Sequence, residues 1–131
     1  YPNGPICIEP NLYLYSEPTL SQLNQFDVII NVAKEVKTHT RLPEYIYMPW
    51  THTSQLCPDF PQLTKLIESN LNKNLRILIH CQCGVSRSAS LVVAYIMKLK
   101  NLKFSDAYCF VKEKASEICP NMTLLYELIE W

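Results

Sequence analysis

The chain has 131 residues, 48% of them hydrophobic and 18% charged, which fits one globular domain with a sizeable core. Lys and Arg number 12 and Asp and Glu 12, so the formal net charge is zero at pH 7, and charge gives no reason to expect nucleic acid or a membrane surface as partner. No apolar run reaches the roughly 18 residues of a spanning helix, and no repeat or low-complexity tract is visible. Six cysteines are many for this length: Cys7, Cys57, Cys81, Cys83, Cys109 and Cys119. In a secreted chain an even count would suggest disulfides, but no signal peptide is expected and the apolar segments can build a core without staples. The expectation is free thiols, a cytoplasmic and/or nuclear protein, and one domain over 1–131 excised from a longer chain.

In chain order, Tyr1 to Pro10 holds Pro2, Pro5 and Pro10 and reads as an extended lead-in. Leu12-Tyr13-Leu14-Tyr15 predicts a short strand. Glu17-Pro18-Thr19 breaks it, and Thr19 can cap a short helix running through Phe26. Asp27 is a turn residue. Val28 to Val32 is apolar apart from Asn31, the pattern of a central parallel strand covered on both faces. Lys34 to Leu42 is polar and irregular. Tyr45-Ile46-Tyr47-Met48 predicts another strand, ended by Pro49.

Trp50 to Pro61 reads as a loop with a helix starting near Asp59. Leu63, Leu66, Ile67 and Leu71 fall at helical spacing, so that helix lays one face on the sheet. Asn72-Lys73-Asn74 turns the chain. Leu75 to Cys81 predicts a buried strand, and Ser88 to Lys98 a helix apolar on all sides and therefore central. A further helix spans about Ser105 to Ile118, with Ala107, Phe110 and Val111 on one face. Lys98, Lys100 and Lys103 read as a solvated helix end. Pro120 ends that segment, and Asn121 caps a last helix with Leu124, Leu125, Leu128 and Ile129 inward. Strands alternating with helices predict an α/β fold with a central, mainly parallel sheet flanked by helices, and ligands in such sheets bind at the carboxyl ends of strands.

One such end stands out. The strand finishes at His80-Cys81, a short loop with Gly84 follows, and at Arg87-Ser88 the central helix begins. A helix N-terminus favours anions, and the backbone N–H groups of Gln82 to Arg87 can point inward as a cradle. Cys81 lies in that potential, which favours its thiolate. Arg87 brings a planar fork for two phosphate oxygens. A thiolate, N–H donors and a bidentate arginine are the parts for nucleophilic attack on phosphorus.

The run His80-Cys81-x-x-Gly84-x-x-Arg87-Ser88 resembles the signature loop of cysteine-dependent protein phosphatases, in the dual-specificity branch and most like the fungal MAP kinase phosphatases. Leu12 to Ser16, Ile30 to Ala33, Ala94 to Met97, Pro120-Asn121 and Leu124 to Trp131 extend the resemblance along nearly the whole chain. It implies Cys81 as nucleophile through a phosphocysteine, Arg87 as phosphate ligand, and Ser88 as the hydroxyl that stabilises the departing thiolate. Gln82, Cys83, Gly84, Val85 and Ser86, with Arg87, would form the substrate-binding loop. His80 would orient that loop, and Asn121 would support it. Gly84 suits a backbone angle that a side chain would resist.

The resemblance also implies a general-acid aspartate in the loop before the second helix. The matching stretch reads Trp50-Thr51-His52-Thr53-Ser54-Gln55, with Thr51 at the expected position and no carboxylate. The chain has three aspartates, Asp27, Asp59 and Asp106. Asp59 is nearest in sequence and is one candidate acid. His52 is another, or packs on a substrate ring beside Trp50. A missing acid costs roughly two to four orders of magnitude in such a step. Cys83 reads either as a tolerated small side chain or as a thiol that traps oxidised Cys81 as a disulfide. A zinc site from His80, Cys81 and Cys83 lacks a second ligand pair at suitable spacing. No metal or other cofactor is expected, because Arg87 and the N–H cradle supply the positive charge, and orthovanadate should inhibit.

The expected activity is hydrolysis of phosphotyrosine, with phosphothreonine as a second substrate, on a phosphorylated protein. The resemblance makes that protein a MAP kinase, and the expectation is a monomer with no nucleic acid or membrane partner. Three readings compete: a tyrosine-only phosphatase, a phosphoprotein-binding module with weak turnover, and a phosphoinositide or RNA triphosphate phosphatase. The last usually needs basic loop residues, and Gln82, Val85 and Ser86 are neutral.

Overall fold

The computed structural model describes residues 4–36, 45–51, 56–82 and 86–119. Two strands open the chain: β1 (Ile6–Glu9) and β2 (Leu12–Tyr15). They pair antiparallel around Asn11, which takes φ 69°. The proline-rich lead-in therefore contains a strand that composition hid, because prolines at 5 and 10 flank it without entering its ladder. Then come α1 (Leu20–Leu23), β3 (Val28–Asn31), β4 (Tyr45–Tyr47), α2 (Phe60–Asn72), β5 (Ile77–His80), α3 (Arg87–Lys100) and α4 (Phe104–Lys114). The stretch expected as a last helix, including Asn121 and Leu124 to Trp131, lies outside the described residues.

The five strands form one sheet in the order β1-β2-β5-β3-β4. β2, β5, β3 and β4 run parallel, so the sheet is mixed only at its β1 edge. β5 sits in the middle, with both its neighbours parallel. That placement sends the Cys81 loop off the centre of the sheet's carboxyl edge, where α/β folds bind ligands.

Alternation along the strands separates two apolar layers. Leu12, Leu14, Val28, Ile30, Ile77 and Ile79 join the larger core with residues of α2, α3 and α4. Ile29 and Leu78 turn the other way, onto Leu23 and Phe26, with Tyr13, Tyr15 and Tyr45 beside them. α3 is buried from Arg87 to Ile96, as a helix apolar on all sides must be. Its Tyr95 phenol is pushed up from its ordinary value by burial and then by the carboxylates of Glu68 and Glu9, so it stays neutral in the core.

Caps decide where the helices stop. Thr19 and Gln22 form a reciprocal capping box on α1, which ends at Leu23 rather than running to Phe26. Asn101 closes α3 in the left-handed region at φ 52°, and Asn74 follows α2 at φ 60°. α4 ends at Lys114, four residues before the predicted Ile118, with Ala115 leaving helical geometry at ψ 84°. Cys7, Cys81, Cys109 and Cys119 carry free thiols. Among the described residues no helix is long and apolar enough to cross a membrane.

Ile79→Ala removes atoms from the centre of the larger core and is expected to cost about 2–5 kcal/mol. Leu20→Ala, at a side chain 59% exposed, should cost under about 0.5 kcal/mol. Urea denaturation checks both, and equal losses at the two positions would contradict this division of core and surface.

Candidate active site

β5 ends at His80, and Cys81 is the first residue beyond it, 1% exposed. Its Sγ lies 3.1 Å from Ser88 Oγ, on the first turn of α3. Ser88 lies inside α3, two residues past its N-cap. Ser86 occupies that place, and its carbonyl accepts from the Ser90 amide at 2.8 Å and from Ser90 Oγ at 2.7 Å. This frees the Ser88 hydroxyl to face the thiol. The first N–H groups of any α-helix have no intrahelical acceptor, so the start of α3 beside Cys81 is electropositive.

The other end of the loop is tied down at Gln82, whose carbonyl accepts from the Glu17 amide at 3.1 Å. Gln82 itself is exposed. His80 is buried on the face opposite the larger core. Its carbonyl accepts from the Val32 amide at 3.0 Å, and the register sets it between Tyr15 and Asn31. Cys83, Gly84 and Val85 of the loop, and His52, lie outside the described residues.

Arg87 is 1% exposed, and its guanidinium is held from the β3 side. Nη1 donates to Glu35 Oε1 at 2.7 Å and Nη2 to Glu35 Oε2 at 2.6 Å, a bidentate charge-assisted pair. Nη1 also donates to the Trp50 carbonyl at 2.9 Å. That carbonyl accepts from the Lys34 amide as well, at 2.9 Å. The sequence assigned 34–42 only a polar, irregular character, so Glu35 was missed. The one available signal was topological, a carboxylate just past the carboxyl end of a central strand.

Asp59 opens α2 but gives its amides no side-chain cap. Its Oδ2 accepts instead from Trp50 Nε1 at 2.9 Å. Trp50 is buried, edge-on to Phe60 with ring centroids 6.2 Å apart. The candidate acid is thus engaged with the tryptophan whose carbonyl meets Arg87. Among the described residues no group of three or more His, Cys, Asp or Glu could hold a metal ion.

Comparison with known proteins agrees with this geometry. The family model described as "Dual specificity phosphatase, catalytic domain" matches residues 12–131. Tyrosine-protein phosphatase MSG5 of Saccharomyces cerevisiae is 48% identical over 140 residues, covering 100% of this chain and 29% of that protein. Tyrosine-protein phosphatase pmp1 of Schizosaccharomyces pombe is 41% identical over 152 residues, covering 100% of this chain and 55% of its own. The chain thus spans about half or less of these relatives. Among solved structures, the human tyrosine phosphatase-like serine/threonine/tyrosine-interacting protein superposes with TM-score 0.84 at 27% identity, over 97% of this chain and 94% of that one. With a matching signature loop, sheet and family model, the chain belongs to the dual specificity phosphatase catalytic domain family.

Proposed function

We propose that this chain hydrolyses phosphotyrosine, and phosphothreonine as a second substrate, on a MAP kinase through a phosphocysteine. The observation that carries the reading is the Cys81 Sγ to Ser88 Oγ contact of 3.1 Å at a buried strand–helix junction beside Arg87. In the first step the Cys81 thiolate attacks phosphorus, an S–P bond forms, and the bond to the ester oxygen breaks. The leaving oxygen takes a proton from water or from one of the candidate acids, Asp59 or His52. In the second step water attacks phosphorus, the S–P bond breaks, and inorganic phosphate leaves. The Ser88 hydroxyl is placed to donate to the sulfur as its negative charge returns. Arg87 and the N–H groups at the start of α3 balance the charge of the phosphoryl oxygens in both steps. The MAP kinase substrate rests on the sequence resemblance to fungal MAP kinase phosphatases. Cytoplasmic and/or nuclear residence fits a substrate of that class.

A second reading, capture of phosphoprotein with little turnover, is favoured by the proton donor. Residues 50–55 contain no carboxylate, and Oδ2 of Asp59 accepts from the Trp50 indole. A structural neighbour whose name describes interaction lends it some support.

Phosphate release from a doubly phosphorylated activation-loop peptide separates the two. Cys81→Ser should abolish release, and Ser88→Ala should slow the second step so that phosphocysteine accumulates and a burst appears. Tight peptide binding without turnover by the native chain would leave only the capture reading. Asp59→Asn keeps an oxygen acceptor for Trp50 and should lower kcat/KM on an aryl phosphate less than about tenfold. A loss of roughly a hundredfold or more, with the basic limb of the pH profile gone, would instead make Asp59 the acid.

A further inference from the structure

Glu35 reaches Arg87 because a short turn is built to bring it there. Asn31 is the last residue of β3 and fully buried. Its Oδ1 accepts from the Ala33 amide at 3.0 Å, and its Nδ2 donates to the Val36 carbonyl at 3.2 Å and to Tyr45 Oη at 3.1 Å. The Val36 amide donates to the Ala33 carbonyl at 3.2 Å. One side chain thus closes the turn 32–36 from within. The Lys34 amide then fastens the turn to the Trp50 carbonyl, the same oxygen that Arg87 uses. Glu35 stands on the crest between two fixed points.

Glu35 and the Trp50 carbonyl engage Arg87 through Nη1 twice and Nη2 once. A guanidinium has five N–H donors in a rigid plane. These contacts hold both terminal nitrogens of the guanidinium. They also set the plane of the fork before any substrate arrives.

We propose that Glu35 is a positioning residue for the phosphatase reaction: it holds Nη1 and Nη2 of Arg87 and thereby orients the fork that receives the phosphoryl oxygens. The inference rests on the phosphatase reading above. It runs against simple charge balance. A carboxylate beside a phosphate site repels the anion, so if charge alone mattered, its removal would tighten oxyanion binding. Positioning predicts the opposite sign. A merely structural Glu35 predicts neither, because loss of folded protein lowers the number of active sites without altering the affinity of each.

The measurement is orthovanadate affinity by calorimetry, alongside kcat and KM for an aryl phosphate. Glu35→Ala tests the full loss. Glu35→Gln keeps the size and one acceptor, in case the alanine variant fails to fold. Losing a hydrogen bond to a charged group predicts about 10- to 100-fold weaker vanadate binding and a comparable fall in kcat/KM for alanine, with glutamine between it and the native chain. In an Arg87→Lys background, where no fork remains to orient, the Glu35→Gln change should add little, a non-additivity that a double-mutant cycle reads directly. Unchanged or tighter vanadate binding by Glu35→Gln, in an otherwise active native chain, overturns the positioning role alone. A native chain that neither hydrolyses the substrate nor binds vanadate overturns the phosphatase reading and this inference together.

Discussion

A guanidinium buried to 1% exposure is the constraint from which the carboxyl edge of this domain is arranged. A buried charge is tolerated only when paired and hydrogen-bonded, because its desolvation cost otherwise exceeds what packing returns. Arg87 is forced inside by its place on the first turn of α3, a helix covered on all sides. The partners must therefore come from the neighbouring elements. Glu35 comes from the turn after β3, and the Trp50 carbonyl comes from the segment after β4. Arg87 thereby joins the turn after β3 to the segment after β4.

The edge below them is correspondingly polar. In the parallel register Tyr15, His80, Asn31 and Tyr47 stand side by side across four strands, on the face opposite the larger core. Central strands of parallel sheets are normally apolar on both faces, and β5 and β3 keep to this until their last residues. There the polar groups begin to serve the loops. Asn31 folds the turn that carries Glu35, Tyr47 Oη donates to the Lys34 carbonyl at 2.8 Å, and the His80 carbonyl holds Val32. The hydrophobic sheet supplies rigidity, and its last polar row transfers that rigidity to the site.

In the proposed reaction, phosphate binding and proton transfer rest on different supports. The thiol, hydroxyl and arginine are set on elements locked by the core, where rotamers are restricted by packing. The proton donor has no comparable anchor in the sequence, since residues 50–55 bring no carboxylate and Asp59 is committed to Trp50. Trp50 links the two segments: its carbonyl accepts from Arg87 and its indole donates to Asp59. A change at either end of that residue reaches the phosphate site through at most one hydrogen bond.

The amino-acid sequence by itself determined the elements whose signal is local. The apolar runs of β3 and β5, the helical spacing of α2 and the all-round burial of α3 follow from side-chain periodicity, and the Cys81 to Ser88 signature was legible by its resemblance to a known loop. Thr19 as a cap was likewise legible, because a capping box closes within four positions. Only tertiary structure decided what depends on long-range pairing. β1 became a strand because β2 offered an edge, α4 stopped short where its backbone left helical geometry, and Asp59 turned from its helix toward an indole. Glu35 meets Arg87 across 52 positions of sequence, a separation over which no periodicity carries information. That contact exists because the parallel order places β3 beside β5, and a buried positive charge then selects the nearest carboxylate that the sheet edge can present.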